Sequence, residues 1–167
     1  MRLFFIIVIL MGTLLLQHII HELSHVVAAK LWGVKIKKIH WFTYSKFFGT
    51  RVFYENEPDL RRGHVERQWG LVAIAGFIVT TIMGYLAFAL YCYGSGMFNS
   101  GVLLLLFMIA TIFMLMDTFY FMLGSFLEFG DSFGFGKAFK LSKLTLIISF
   151  TCIFVLNLIL IKQYLWN

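Results

Sequence analysis

Long stretches without a single charge constrain this chain more than any other feature. Residues 3 to 20 carry no formal charge, and none occurs between Arg67 and Asp117. Lipid offers no partner to a backbone N–H or C=O, so a chain crosses it as a helix of about 20 apolar residues. Four segments are long enough: 3–29, 69–93, 101–127 (interrupted by Asp117) and 144–162. Composition agrees, with 60% hydrophobic and only 13% charged residues and a mean hydropathy of +0.87. Soluble domains carry about 25% charged residues. The expectation is an all-α integral membrane protein, one membrane-embedded domain over residues 1–167. The first apolar run is too long for a signal peptide, and is read as a retained helix.

The formal charge of +6 could suggest a nucleic-acid partner, but its distribution does not. Nine of the fourteen basic residues lie between Lys30 and Arg67, between the first two apolar runs. By the positive-inside rule that loop faces the cytoplasm. The uncharged 94–100 stretch then lies outside, and 128–143, with Lys137, Lys140 and Lys143, returns to the cytoplasmic side. This predicts a multi-pass protein of the cell membrane with both termini outside and no nucleic-acid partner. Cys92 and Cys152 sit far apart in apolar runs and read as buried filler.

Inside the basic loop the pattern changes from helix to strand. Val34 and Ile36 alternate with Lys35 and Lys37, Ile39 and Trp41 with His40 and Phe42, and a second short run follows over 50–55. This predicts a small β-hairpin or sheet at the cytoplasmic membrane surface. A basic loop that only sets orientation is the alternative.

The first apolar run ends in His21-Glu22-Leu23-Ser24-His25. In H-E-x-x-H on a helix, the histidines at i and i+4 share a face and reach one metal ion, while the glutamate lies beside it as a base. Ionisable groups at the end of a membrane helix are costly unless they serve a function. A catalytic zinc takes three protein ligands, so the chain must supply a third. Beyond Glu22 and the basic loop, the acidic residues are Asp117, Glu128 and Asp131. His25 lies five residues before Lys30, so about 7 Å below the cytoplasmic end at 1.5 Å per residue. Asp131 lies six residues before Lys137 on a segment that returns to the same side. Its glycine-rich surroundings, Phe129 to Gly136, suggest a broken helix where backbone approaches a ligand. Asp131 is therefore taken as the third ligand, over residues 128–143 read as a loop. Asp117, mid-segment, could instead be a hydrogen-bonded structural carboxylate. His18 lies on the face of His21 but too far from His25 to share its ion, so it is a candidate for a group behind the ligands.

These residues resemble the site-2 protease-like intramembrane metalloproteases, whose core is three transmembrane helices with H-E-x-x-H on the first and an aspartate ligand on the third. Residues 21–34 look like the family's first core helix running into its surface strands. Ala75-Gly76-Phe77-Ile78-Val79-Thr80 is similar to the A-G-P-x-x-N motif of its second, with Phe77 in place of proline and Thr80 in place of asparagine. Leu123 to Ser132 occupies the spacing of the third motif, N-x-x-P followed by L-D-G. Asp131 falls on the aspartate, while the asparagine, proline and following glycine are absent. The resemblance covers roughly residues 10 to 140. It implies a zinc-dependent endopeptidase with His21, His25 and Asp131 on Zn²⁺ and Glu22 as catalytic base. It also implies substrate-positioning roles for Gly76 and Thr80, and a transmembrane or signal-peptide-like segment of a partner protein as substrate. Two other classes compete: a catalytically inactive relative that binds membrane segments, and a small metal or proton transporter.

Overall fold

The computed structural model describes residues 2–43, 49–55, 65–94 and 96–165; Lys46, Arg61, Arg62 and His64 of the basic loop lie outside the described residues. The order is α1 (Arg2–Leu31), β1 (Ile36–Thr43), β2 (Gly49–Tyr54), α2 (Arg67–Tyr93), α3 (Ser100–Leu127), α4 (Gly130–Phe139) and α5 (Lys143–Leu165). Among the described residues, α1, α2, α3 and α5 are long and apolar enough to cross a membrane. Each lies within a few residues of the span read from the uncharged runs. The protein is a membrane protein, and the apolar side chains exposed along the four helices (Leu3, Phe4, Leu86 and Leu144 among them) form the surface such a bundle presents to lipid.

Helix α1 carries an inverted pattern. Thr13, Gln17, His21, Ser24, His25 and Ala28 are buried, whereas Leu16, Leu23 and Val27 are exposed. The three-to-four spacing of the buried set makes one stripe, and that stripe is mostly polar. In lipid the apolar face needs no cover, so the helix turns its polar face to the protein interior. The helix closes through Trp32 N–H to Ala28 O (2.9 Å) and Val34 N–H to Ala29 O (2.8 Å). Gly33 takes φ +69°, a left-handed conformation that costs other residues about 1–2 kcal/mol. The chain thereby turns directly from α1 into the strands.

The strands pair antiparallel as a two-stranded hairpin, so the sheet expected from the alternation is present. Ile36 faces Tyr54 and Lys38 faces Phe53, leaving Lys37 as an extra residue at a bulge. The apolar parity of β1 switches at that point, from the even positions 34 and 36 to the odd positions 39 and 41. A one-residue bulge shifts the register by one, as that change of parity requires.

Helices α2 and α3 form the centre. Gly84 lets α2 approach α3, where an added Cβ would lie 2.9 Å from Met114 Cγ and 3.1 Å from Phe113 Cβ. Close approach through small residues is the main source of helix association in lipid, where apolar burial gives little advantage. Below it, Phe77, Phe121, Leu146 and Phe150 join α2, α3 and α5 in one aromatic cluster. Helix α5 is also held by Asn157, fully buried, whose amide donates to Met114 O (2.8 Å) and whose carbonyl accepts from Tyr85 Oη (2.7 Å).

The segment around Asp131 differs from the loop expected over residues 128–143. The break is confined to Glu128 (φ 58°) and Gly130 (φ 67°), after which residues 130–139 form α4. Glycine costs a helix interior about 1 kcal/mol relative to alanine, which is why this composition reads as irregular. The cost is offset by fit. Gly134 and Gly136 are buried, and the Leu146 side chain fills the space where a Gly136 Cβ would sit. On the other side Gly70 of α2 lies directly against Ala138 and Phe139. Asp131 is thus carried on the first turn of a short packed helix, not on a loop.

Candidate metal centre

The buried stripe of α1 delivers His21 and His25 to the place where α4 begins. Their rings lie edge to face with centroids 4.8 Å apart. His21 Nε2 is 3.2 Å and His25 Nε2 3.4 Å from Asp131 Oδ2. Two nitrogens and one carboxylate oxygen thus converge, all within 4.8 Å of one another. Zinc bonds of about 2.0–2.2 Å in tetrahedral geometry place neighbouring ligand atoms about 3.3–3.5 Å apart, so both His–Asp separations fit such an ion. The donor set, two imidazoles and a carboxylate, is one that catalytic zinc takes with a fourth position left open. Both histidines are about 5% exposed while the Asp131 side chain keeps 29% exposure, so the centre is open on the Asp131 side.

The outer ring nitrogens are also committed. His25 Nδ1 lies 2.7 Å from the carbonyl oxygen of Val72 on α2. A carbonyl only accepts, so Nδ1 carries a hydrogen and Nε2 is turned inward. His21 Nδ1 lies 2.9 Å from Asp117 Oδ2 on α3. Asp117, 4% exposed, also accepts the Gln17 amide at Oδ1 (2.6 Å) and the Thr80 hydroxyl at Oδ2. The Thr80 oxygen is also 2.8 Å from Gly76 O, but its single proton goes to the charged acceptor, the stronger partner. One buried carboxylate therefore ties α1, α2 and α3 together behind His21.

Asp131 is the ligand candidate outside the spanning helices. Burial favours the neutral acid, but where the imidazoles of His25 and His21 are protonated their charge and hydrogen bonds outweigh this and hold its carboxyl below the usual carboxylate range. It is an anionic donor. Glu22, next to His21 in sequence, is half-buried and within electrostatic range of both imidazoles. No hydrogen bond or ion pair among the described residues occupies its carboxylate.

The remaining expected residues fall as follows. Gly76 lies under the His21 ring. A Cβ there would come within 2.6 Å of Nε2 and 2.7 Å of Cδ2 and Cε1. Thr80, expected to face a substrate, is 0% exposed with its hydroxyl on Asp117, so it has no surface to offer one. The group bonded behind His21 is Asp117, backed by Gln17, in place of the expected His18. His18 is partly buried and stays within electrostatic range of His21 and Asp117. Two residues of the centre were missed. Gln17 had a readable signal, a buried-type amide one turn before His21 in an apolar run. Tyr120 had none. Its ring stands edge-on to His21 at 6.3 Å, its hydroxyl fills the space beside Gly130, and it takes the backbone N–H of Asp131.

Gly76→Val tests the packing of His21. Branched carbon beside the ligand nitrogen must displace the ring, so zinc affinity measured by chelator competition is expected to fall by more than about tenfold. Unaltered affinity would show that the ring has room to move.

No family model, curated protein or solved structure matches the chain.

Proposed function

We propose that the protein is a zinc-dependent intramembrane endopeptidase built on a site-2 protease-like core of α1, α2 and α3. The observation that carries the reading is the convergence of His21 Nε2, His25 Nε2 and Asp131 Oδ2 beside an uncommitted Glu22 carboxylate, at the end of a membrane helix. Four ionisable groups together at that depth are costly in lipid and are retained for chemistry. A bound zinc supplies Lewis acidity and acidifies water toward neutrality.

The chain's own residues do the rest. His21, His25 and Asp131 hold the ion, with Val72 O and Asp117 fixing the two rings. Glu22 accepts a proton from water as the water oxygen bonds to the scissile carbonyl carbon. It returns that proton to the leaving nitrogen as the C–N bond breaks. The products are one carboxyl terminus and one amino terminus, so atoms balance with water as the only co-reactant. The substrate is a transmembrane or signal-peptide-like segment of another protein. It must unwind locally, because a helix hides its carbonyls in its own hydrogen bonds. Under the positive-inside rule the centre lies toward the cytoplasmic side of the cell membrane, near the basic loop and Lys137, Lys140 and Lys143.

Metal removal tests the proposal. Detergent-purified protein is incubated with a panel of labelled transmembrane peptides, before and after stripping with a chelator. Cleavage is expected to be lost on stripping and restored by zinc. A protein that binds zinc yet cleaves no peptide of the panel would favour a binding role, and zinc flux into vesicles without cleavage would favour transport.

A further inference from the structure

Asp117 lies outside the ligand triad, and its surroundings assign it a role in that same centre; the inference rests on the metal reading above. We infer that Asp117 is a positioning residue that fixes the tautomer and rotation of His21, so that Nε2 is presented as a ligand. The argument starts from donors. A carboxylate is an acceptor only, and Asp117 meets three donors: the Gln17 amide, the Thr80 hydroxyl and His21 Nδ1–H. The Gln17 amide takes Oδ1, and Oδ2 faces both the Thr80 hydroxyl and His21 Nδ1 at 2.9 Å, so as an acceptor Asp117 calls for the hydrogen of His21 on Nδ1. Nε2 then turns a lone pair toward the Asp131 oxygen 3.2 Å away. A lone pair facing a carboxylate repels it unless a proton or a metal ion lies between them. His25 reaches the same state by a different partner, Val72 O.

The two rings are therefore held by unequal means. His25 leans on a neutral carbonyl, whereas His21 has a full negative charge behind it in surroundings of low polarity. A hydrogen bond to a carboxylate is stronger than one to a neutral carbonyl, so the His21 ring is the more firmly held of the pair. That hold also explains why an ionised group lies deep in α3 at all. Two of these contacts of Asp117 come from α1 and one from α2, so the carboxylate of α3 positions the ring relative to α2 and α3. Metal-ligating histidines in general depend on such partners, and losing one costs about 10–100-fold in metal affinity.

The test compares wild type with Asp117→Asn, which keeps the shape and an acceptor for Nδ1–H while removing the charge. Two quantities are read in detergent: the zinc dissociation constant by competition with a chromophoric chelator, and the thermal midpoint of the metal-free protein. The expected result is about 10–100-fold weaker zinc binding, beside whatever fall in the metal-free midpoint the lost acceptor causes. A merely structural Asp117 lowers the midpoint and leaves zinc affinity intact, which overturns the inference. If Asp117→Asn fails to fold, the ring-nitrogen NMR shifts of His21 in the metal-loaded wild type decide. A hydrogen on Nδ1 supports the role, and a hydrogen on Nε2 overturns it. Wild type that takes no zinc removes the metal reading and this inference together. Equal affinity in wild type and Asp117→Asn removes only the role of Asp117.

Discussion

Glu22→Gln is expected to lower peptide-bond hydrolysis by a factor on the order of 10²–10⁴ while zinc content stays at the wild-type level. The substitution keeps the size of the side chain and removes only its ability to take a proton. Glu22 contributes no ligand atom to the triad, and its carboxylate makes no hydrogen bond among the described residues. Neither the metal site nor the packing has reason to change. The measurement is single-turnover cleavage of a labelled transmembrane peptide, alongside metal analysis of the same preparation. This result separates the classes of function. A relative that only binds membrane segments has no use for a base, so its biological activity would survive the change. Survival of cleavage itself would move the base to another group, with Tyr120 next to be replaced.

Asp131→Ala is expected to abolish stoichiometric zinc, from about one ion per chain to none after gel filtration. Removing one of three protein donors leaves two imidazoles and no anionic ligand at the centre. The loss should exceed the roughly 10–100-fold expected for Asp117→Asn, which removes support and not a ligand. That ordering is informative. Asp117 already holds His21 Nδ1 at 2.9 Å, so a protein that kept its zinc after Asp131→Ala would be using the opposite nitrogen of His21, with Asp117 as the ligand. The exposure pattern favours Asp131, because a substrate must reach the ion and Asp117 is sealed inside the bundle.

Much of the protein was legible before any coordinates. The four membrane helices follow from uncharged runs, since a backbone in lipid has few other ways to satisfy its hydrogen bonds. The hairpin follows from alternation, whereas its bulge at Lys37 emerges only from the strand register. His21 and His25 belong together because four residues make about one helical turn, a purely local fact. Local periodicity cannot report on helix rotation, and here it stops. Asp117 and Asp131 are the same residue type on one returning stretch of sequence. Only the rotation of α3, and the turn through Glu128 and Gly130, put one behind His21 and the other in front of it. The glycines of α4 look like helix breakers until Leu146, Ala138 and Phe139 are seen filling the space that side chains would have taken. The contacts joining His21 to Asp117 and Asp131 span 96 and 110 residues of sequence. Sequence alone determined a membrane bundle carrying an H-E-x-x-H helix. Tertiary packing decided which carboxylate faces the centre and which one holds the ring, because that choice depends on how helices rotate against one another.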